Sequence, residues 1–225
     1  MKRKLLMLTL AVILMSAVKM KAQNGSSTVL SATAGTQGVG LDLKYSKNPK
    51  YVFKAGASVV PIKANVVTKI SNEPTEVDVD GDFANAHVMF DWHPFGNSAS
   101  FSRKILFSAG GAYWWKRGGK ATITYQGTFK YGDILIPSED LGELIGDVKW
   151  NKVTPYLGTG IESVVSKKRF SLGFNLGVYY MGKPEASLTG TKLLAANNAS
   201  SAQFQKNMDD YRFLPVLQLN LNFRL

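Results

Sequence analysis

Histidine and aspartate side chains have the greatest capacity for chemistry in this sequence, and three of them lie within residues 87–93. On an extended strand, His87 and His93 have Cα atoms about 20 Å apart, so they cannot bind one metal ion as neighbours. His93 and Asp91 could supply two members of a catalytic triad, but no serine nucleophile accompanies them at an evident spacing. The chain also has no cysteine, no phosphate-binding loop and no HExxH zinc motif. We therefore expect no enzyme activity, no bound metal and no cofactor.

The elements that must position these residues are alternating stretches, and the clearest covers residues 215–225. Its apolar positions are Leu217, Leu219, Leu221, Phe223 and Leu225. Polar residues fill the positions between them, and a period of two is typical of a strand with one apolar face. A tilted strand crosses a bilayer in about 9–11 residues. The C-terminal stretch is therefore predicted to span a membrane.

Eight stretches of this kind occur along the chain. The predicted strands cover residues 28–34, 38–45, 51–59, 84–92, 105–115, 153–161, 170–180 and 215–225. The apolar parity changes between the first two strands, which favours a hairpin through residues 35–38. A single strand with a β-bulge is the alternative, because a regular strand cannot change parity.

The connections alternate between tight turns and long segments. Residues 66–81, 116–149 and 183–210 are predicted to be long loops. Within them, residues 121–131 are compatible with a hairpin extension of the barrel wall, and residues 138–145 and 193–210 are compatible with short helices. Short connections on one side and long ones on the other are typical of outer-membrane barrels. The predicted fold is all-β: an eight-stranded antiparallel up-and-down transmembrane β-barrel with long outer loops, two of which include short helices.

Side-chain size distinguishes the two faces of the predicted strands. Polar faces carry many glycines and serines, whereas apolar faces carry leucine, phenylalanine, valine and tryptophan. The interior of an eight-stranded barrel is just wide enough to be filled by side chains. Small residues are therefore expected inside and bulky residues against lipid. A soluble barrel with an apolar interior is the alternative.

Charged residues on the polar faces form the candidate functional site. The predicted lumen network is Asp42, Lys44, Lys54, His87, Asp91, Glu162 and Arg224. A buried charge without a partner is costly, so we expect a salt-bridged plug in which Lys54 pairs with Asp91 on the adjacent strand. The functional alternative is a narrow polar path that responds to protonation of His87.

Aromatic residues lie near the predicted strand ends, as in the interfacial girdles of spanning barrels. Those predicted at the inner rim are Tyr45, Tyr51 and Trp92. Those predicted at the outer rim are Tyr113, Trp114, Trp115, Trp150, Tyr180 and Phe213.

Residues 1–22 have the features of a secretory signal peptide. A basic start at residues 2–4 precedes an apolar run at residues 5–18 that is too short to span a bilayer as a helix. Cleavage after Ala22 leaves residues 23–225 as the barrel; an uncleaved anchor is the alternative. The remaining lysines and arginines are scattered, which argues against a nucleic-acid partner.

Three segments carry a resemblance to a known family: residues 34–41 (AGTQGVGL), 151–158 (NKVTPYLG) and 182–189 (GKPEASLT). They are similar to stretches of small, mostly uncharacterised outer-membrane β-barrel proteins of Gram-negative bacteria. The resemblance covers most of the mature chain and implies an outer-membrane location, contact with outer-membrane lipid and recognition of residues 215–225 by the barrel-assembly machinery. Such barrels commonly end in an aromatic residue, whereas this chain ends in Leu225, with Phe223 two positions earlier. The resemblance implies no activity.

The function expected from these features is that of an integral outer-membrane barrel with a side-chain-filled lumen. Its role would be structural, or surface recognition through the outer loops. A narrow porin or conduit for small apolar molecules is the alternative, and an outer-membrane lipid-modifying enzyme is less favoured. No small-molecule ligand is expected.

Overall fold

The computed structural model describes residues 27–70, 73–98, 100–131, 134–162 and 169–225. The predicted signal peptide and most of the turn predicted at residues 166–169 lie outside these ranges. The strands are β1 (Ser27–Gly35), β2 (Gly38–Asn48), β3 (Tyr51–Ile70), β4 (Glu73–Trp92), β5 (Ile105–Tyr125), β6 (Thr128–Tyr131), β7 (Ile134–Pro137), β8 (Glu143–Lys149), β9 (Val153–Ile161), β10 (Phe170–Tyr180), β11 (Glu185–Gly190) and β12 (Phe213–Arg224). The helices are α1 (Ser138–Leu141) and α2 (Ser201–Met208), with 3-10 segments at Phe101–Lys104 and Lys192–Ser200.

Eight of the described strands close into a ring in which every neighbouring pair is antiparallel. The order is β1-β2-β3-β4-β5-β9-β10-β12, and β12 pairs back onto β1. These strands contain seven of the predicted stretches in full and residues 215–224 of the eighth. The hairpin at residues 35–38 is confirmed, because Gly35 pairs with Gly38, and the bulged single strand is wrong. Gly38 has a φ of 88°, a conformation that glycine adopts at little cost.

The loop predicted at residues 66–81 is wrong, because β3 and β4 continue as one hairpin beyond the ring. Their pairing runs without interruption from Val60 opposite Phe83 to Ile70 opposite Glu73. β5 continues beside β4 as far as Tyr125, β8 pairs with that part of β5, and β11 pairs with β8. We call this five-stranded wall, formed by residues 60–70, 73–83 and 117–125 with β8 and β11, the extension sheet. The end of the ring that carries it is the extension end, and the opposite end is the turn end.

The β11 edge of the extension sheet is covered by the segment that follows it. The backbone N–H groups of Ala186, Leu188 and Gly190 donate to side chains of that segment. The acceptors are Gln205 Oε1 at 2.7 Å, Ser201 Oγ at 3.0 Å and Asn198 Oδ1 at 2.6 Å. These contacts satisfy edge groups that would otherwise be free to pair with another chain. The helical content predicted within residues 193–210 therefore protects a sheet edge.

The apolar faces of the ring strands point outward. Leu172 on β10 is 76% exposed and Leu219 on β12 is 61% exposed. Asn175 and Asn220, at positions of the opposite parity on the same two strands, are buried. A soluble barrel has the reverse arrangement, with its apolar face inside. The structure thus has the inside-out pattern that the side-chain sizes predicted. No helix in the described part of the chain is long and apolar enough to cross a membrane.

Candidate functional site

The turn end of the ring interior holds a buried ion pair. Lys44 on β2 pairs with Glu162, which directly follows β9, and its Nζ also donates to Asn222 Oδ1 on β12 at 3.0 Å. All three side chains are buried. Their polar groups therefore join β2, β9 and β12 across the interior rather than along one wall.

A second ion pair lies between neighbouring strands. Lys54 Nζ on β3 is 3.5 Å from Asp91 Oδ2 on β4, and Asp91 also accepts a hydrogen bond from the Ser108 hydroxyl on β5. This is the pair anticipated from adjacent predicted strands. Burial makes the partner necessary, since an isolated charge in this environment would carry a large desolvation cost.

His87 forms a third polar group with Asp42, a contact that sequence reasoning did not anticipate. Its Nε2 is 3.0 Å from Asp42 Oδ1, and its Nδ1 is 2.9 Å from Asn85 Oδ1. Asp42 and His87 lie on β2 and β4, and both are opposite Gly56 on the strand between them. A Cβ at Gly56 would lie 2.2 Å from Asp42 Oδ1, so only glycine leaves room for the contact. Such a glycine, with polar residues opposite it on both sides, is the signal that would have predicted the pair.

The predicted lumen network is thus divided among three groups. Six of its seven members are buried in the interior, and Arg224 is half-buried at the end of β12. His93 is also buried, but it is not among the hydrogen-bonding partners of His87. Among the described residues, no group of three or more His, Cys, Asp or Glu side chains could hold a metal ion.

The extension end of the interior holds an aromatic layer, and the assignment of Trp114 to the outer girdle is wrong. Trp114 is fully buried, its Nε1 donates to Thr154 Oγ1 at 2.8 Å, and its ring centroid is 5.5 Å from that of Tyr179. The Tyr179 ring is in turn 4.8 Å from Tyr156. Strand alternation turns Trp114 inward between its two outward neighbours, so its aromatic character did not indicate an interfacial position.

The girdle assignment of Trp150 is also wrong. Trp150 is partly buried, its ring centroid is 5.8 Å from that of Phe83, and its Nε1 donates to the Tyr211 carbonyl at 2.7 Å. Trp150 directly follows β8 of the extension sheet and does not lie on a ring strand. Its side chain packs against the aromatic layer. The remaining predicted girdle residues are 43% to 63% exposed: Tyr45, Tyr51, Trp92, Tyr113, Trp115, Tyr180 and Phe213.

Glycines on neighbouring strands make room for the aromatic layer. Gly158 and Gly177 are directly opposite each other on β9 and β10. A Cβ at Gly158 or Gly177 would lie 2.5 Å or 2.3 Å, respectively, from the Tyr156 hydroxyl oxygen. The sequence predicts these inward glycines as small residues that fit a narrow, side-chain-filled lumen. In the structure they are the surface against which a large ring packs.

A polar strip runs along β12 and its neighbour β1. On β12, alternate inward residues are Gln218, Asn220 and Asn222, and Gln218 Nε2 donates to Asn220 Oδ1 at 2.7 Å. Gln37 donates to Gln218 and accepts from the Tyr179 hydroxyl at 3.3 Å. Within the described residues, several buried atoms of this wall have no protein partner: Ser31 Oγ, Thr33 Oγ1, Asn220 Nδ2 and Asn222 Nδ2. The interior therefore contains both an aromatic layer and, on β1 and β12, unused hydrogen-bonding capacity.

A closed antiparallel ring with apolar side chains outside and polar ones inside is the arrangement of outer-membrane β-barrels. Two solved outer-membrane proteins of Acinetobacter baumannii share this fold with the chain. CarO2 is 22% identical with a TM-score of 0.62, and the match covers 88% of this chain and 98% of CarO2. CarO is 24% identical with a TM-score of 0.61, and the match covers 91% of this chain and 99% of CarO. No model of a protein family and no curated protein matches the sequence.

Proposed function

We propose that this protein is an eight-stranded up-and-down barrel of the bacterial outer membrane, with a filled lumen and a surface-recognition role carried by the extension sheet. The turn end faces the periplasm and the extension end faces outward. The belt of outward leucine, valine and aromatic side chains supports a membrane location. The strand lengths support it too: β10 has 11 residues and β12 has 12, close to the about 9–11 residues that cross a bilayer.

The observation that carries the filled-lumen proposal is the continuity of side chains across the extension end of the interior. Trp114 on β5 contacts Tyr179 on β10, and the Tyr179 hydroxyl reaches Gln37 in the β1–β2 hairpin. Met89 on β4 and Val216 on β12 belong to the same buried cluster. Side chains from opposite walls thus meet, as the narrow interior of an eight-stranded barrel favours.

The recognition role rests on the extension sheet. Binding surfaces are commonly carried by segments that a rigid scaffold holds out from its body. Here the wall is a direct continuation of three ring strands, β3, β4 and β5, so it is held by the barrel hydrogen bonds themselves. Such a wall presents a fixed surface beyond the membrane.

A second candidate function is a narrow conduit for small molecules. The polar strip favours it, because Thr33, Asn220 and Asn222 keep buried atoms that could hydrogen-bond to a passing solute. The aromatic layer opposes it. The two functions therefore differ in whether the aromatic layer stays closed.

Planar-bilayer conductance separates the two functions. We expect the purified, refolded protein to give no reproducible discrete channels, and Trp114→Ala with Tyr179→Ala to give them, because the double change removes the two central rings. Leu172→Ala on the lipid-facing surface is the control and is expected to behave as the unaltered protein. Discrete channels from the unaltered protein would contradict the filled lumen and support the conduit.

A further inference from the structure

The outer part of β3 has an open edge. Its pairing with β2 ends at Val59, opposite Val39, whereas its pairing with β4 continues to Ile70. In the described part of the chain, no second strand pairs with residues 60–70. Ile62 through Lys69 are all exposed. Half of the backbone hydrogen-bonding groups of this stretch are therefore available to another strand.

The two edges of the extension sheet differ, because the β11 edge is covered by side chains and the β3 edge is exposed. At the β11 edge, the side chains of Asn198, Ser201 and Gln205 accept hydrogen bonds from three backbone N–H groups. No comparable cover lies on the β3 edge among the described residues, where Val66 is 53% and Val67 is 67% exposed. A sequence that fully protected this wall against strand pairing would cover both edges. The open edge is therefore specific to one side.

The sequence of β4, which already pairs with β3, indicates which side chains a second partner strand should carry. On one face, Lys63 is opposite Asp80, with Nζ and Oδ2 3.5 Å apart, and on the other face Val66 is opposite Val77. The segment TEVDVDGD of β4 thus places carboxylates opposite the lysine face and valines opposite the apolar face. A strand with the same alternation would match the free edge in the same way.

We propose that residues 61–70 of β3 form an extracellular strand-addition site for an extended polypeptide whose carboxylates alternate with valine or isoleucine. This polypeptide would be the partner in the surface-recognition role, so the inference rests on the proposed function. Backbone hydrogen bonds supply the pairing, Lys63 and Lys69 attract the acidic face, and Ile62 and Val66 pack on the apolar face. A second copy of this edge is disfavoured, since antiparallel pairing centred on Val66 places Lys63 opposite Lys69.

Fluorescence anisotropy of a labelled peptide tests the site. The probe is a synthetic peptide with the sequence of residues 75–82, added to the full barrel in detergent micelles at low salt. We expect saturable binding that weakens about tenfold in Lys63→Glu with Lys69→Glu, because both lysines on the charged face of this edge change sign. A peptide with lysine in place of each acidic residue should bind that variant and not the unaltered protein. Lys152→Glu with Lys206→Glu makes the same charge change on exposed lysines away from β3 and should alter binding by less than about twofold.

A peptide N-methylated at alternate residues separates strand addition from simple charge attraction. It keeps every carboxylate but lacks the amide hydrogens of one edge, so strand addition predicts loss of binding. Equal binding of the methylated peptide, or equal weakening in the control variant, would overturn the proposal. Absence of saturable binding to a folded, non-conducting barrel would also overturn it, while leaving the filled-lumen barrel intact.

Discussion

At the scale of single residues, the interior is held together by buried charges that pair with one another. Lys44 and Glu162 are both fully buried, and each neutralises the other. Such a pair adds little stability relative to apolar side chains of similar size, but loss of one partner is strongly destabilising. The pair therefore fixes which residues can occupy the turn end of the lumen.

Replacing Lys44 with methionine should lower the free energy of unfolding by about 3–5 kcal/mol, because Glu162 stays buried without a cation. Adding Glu162→Gln should recover part of that loss. Urea unfolding in lipid vesicles, followed by tryptophan fluorescence, measures both. Lys63→Met breaks the exposed pair with Asp80 and should cost less than about 1 kcal/mol. Equal losses in the buried and exposed pairs would argue against a sealed interior.

The glycines beside Tyr156 give a second prediction. Gly177→Ala should destabilise the barrel by about 1–3 kcal/mol, because the added methyl group meets the Tyr156 ring and the Leu157 carbonyl. Gly119→Ala is the matched control, since the nearest atom to a Cβ there is 3.6 Å away. The same unfolding assay checks both variants. A tolerated Gly177→Ala would mean that the aromatic ring is not packed as described.

Sequence reasoning predicted single positions well where alternation alone decides them. The inward placement of Asp42, Lys54 and Asp91 follows from a period of two. The residue type of Trp114 favours an interfacial girdle, but its parity places it inside the ring, since its neighbours Tyr113 and Trp115 point outward. The Asp42–His87 contact also depends on the strand register that places both residues opposite Gly56, which alternation alone does not give.

At the scale of elements, the extension sheet differs most from expectation. The acidic residues at 76, 78 and 80 favour a loop by composition, but they alternate with Val77 and Val79, and that alternation is itself a strand signal. Their charges and that of Asp82 are balanced by neighbours on adjacent strands, including Lys63 and Lys116. Loop composition and strand periodicity compete in this segment, and cross-strand pairing decides the outcome.

The end of helix α2 is held by a pH-sensitive contact with Lys183, which lies two residues before β11. The Asp209 carboxylate accepts hydrogen bonds from Lys183 and Gln205, and these contacts hold its pKa below the ordinary value. Because the pKa of Asp209 is lower in the folded than in the unfolded chain, the contact stabilises the fold at pH values above the unfolded-state pKa of this carboxyl group. That stabilisation is lost as the pH falls through the folded value.

A spin label tests this contact. With the label at residue 202 of α2, introduced as Ala202→Cys, we expect mobility to increase as the pH falls through the lowered pKa of Asp209. The same label in an Asp209→Asn background should be more mobile at neutral pH and should respond little to acid. Mobility that is unchanged by pH and by the substitution would contradict the role of Asp209 in holding α2.

At the scale of the whole molecule, every proposal depends on which side chains point out of the ring and which point into it. Bulky apolar residues lie outside the ring, and the interior contains three polar groups below an aromatic layer. The ring and its outer surface could be predicted from the sequence, because periodicity and residue size are local properties. The aromatic layer could not, because it depends on which inward positions from β5, β9 and β10 meet at one height.

Site-directed spin labelling in lipid vesicles measures that division directly, and the absence of cysteine allows single sites to be labelled. Labels at Leu172→Cys and Leu219→Cys should be highly accessible to oxygen and poorly accessible to a water-soluble nickel chelate, as expected for contact with acyl chains. A label at Ser31→Cys, an inward position on β1, should be immobilised and poorly accessible to both. Nickel access at residues 172 and 219, or lipid exposure at residue 31, would contradict the membrane barrel.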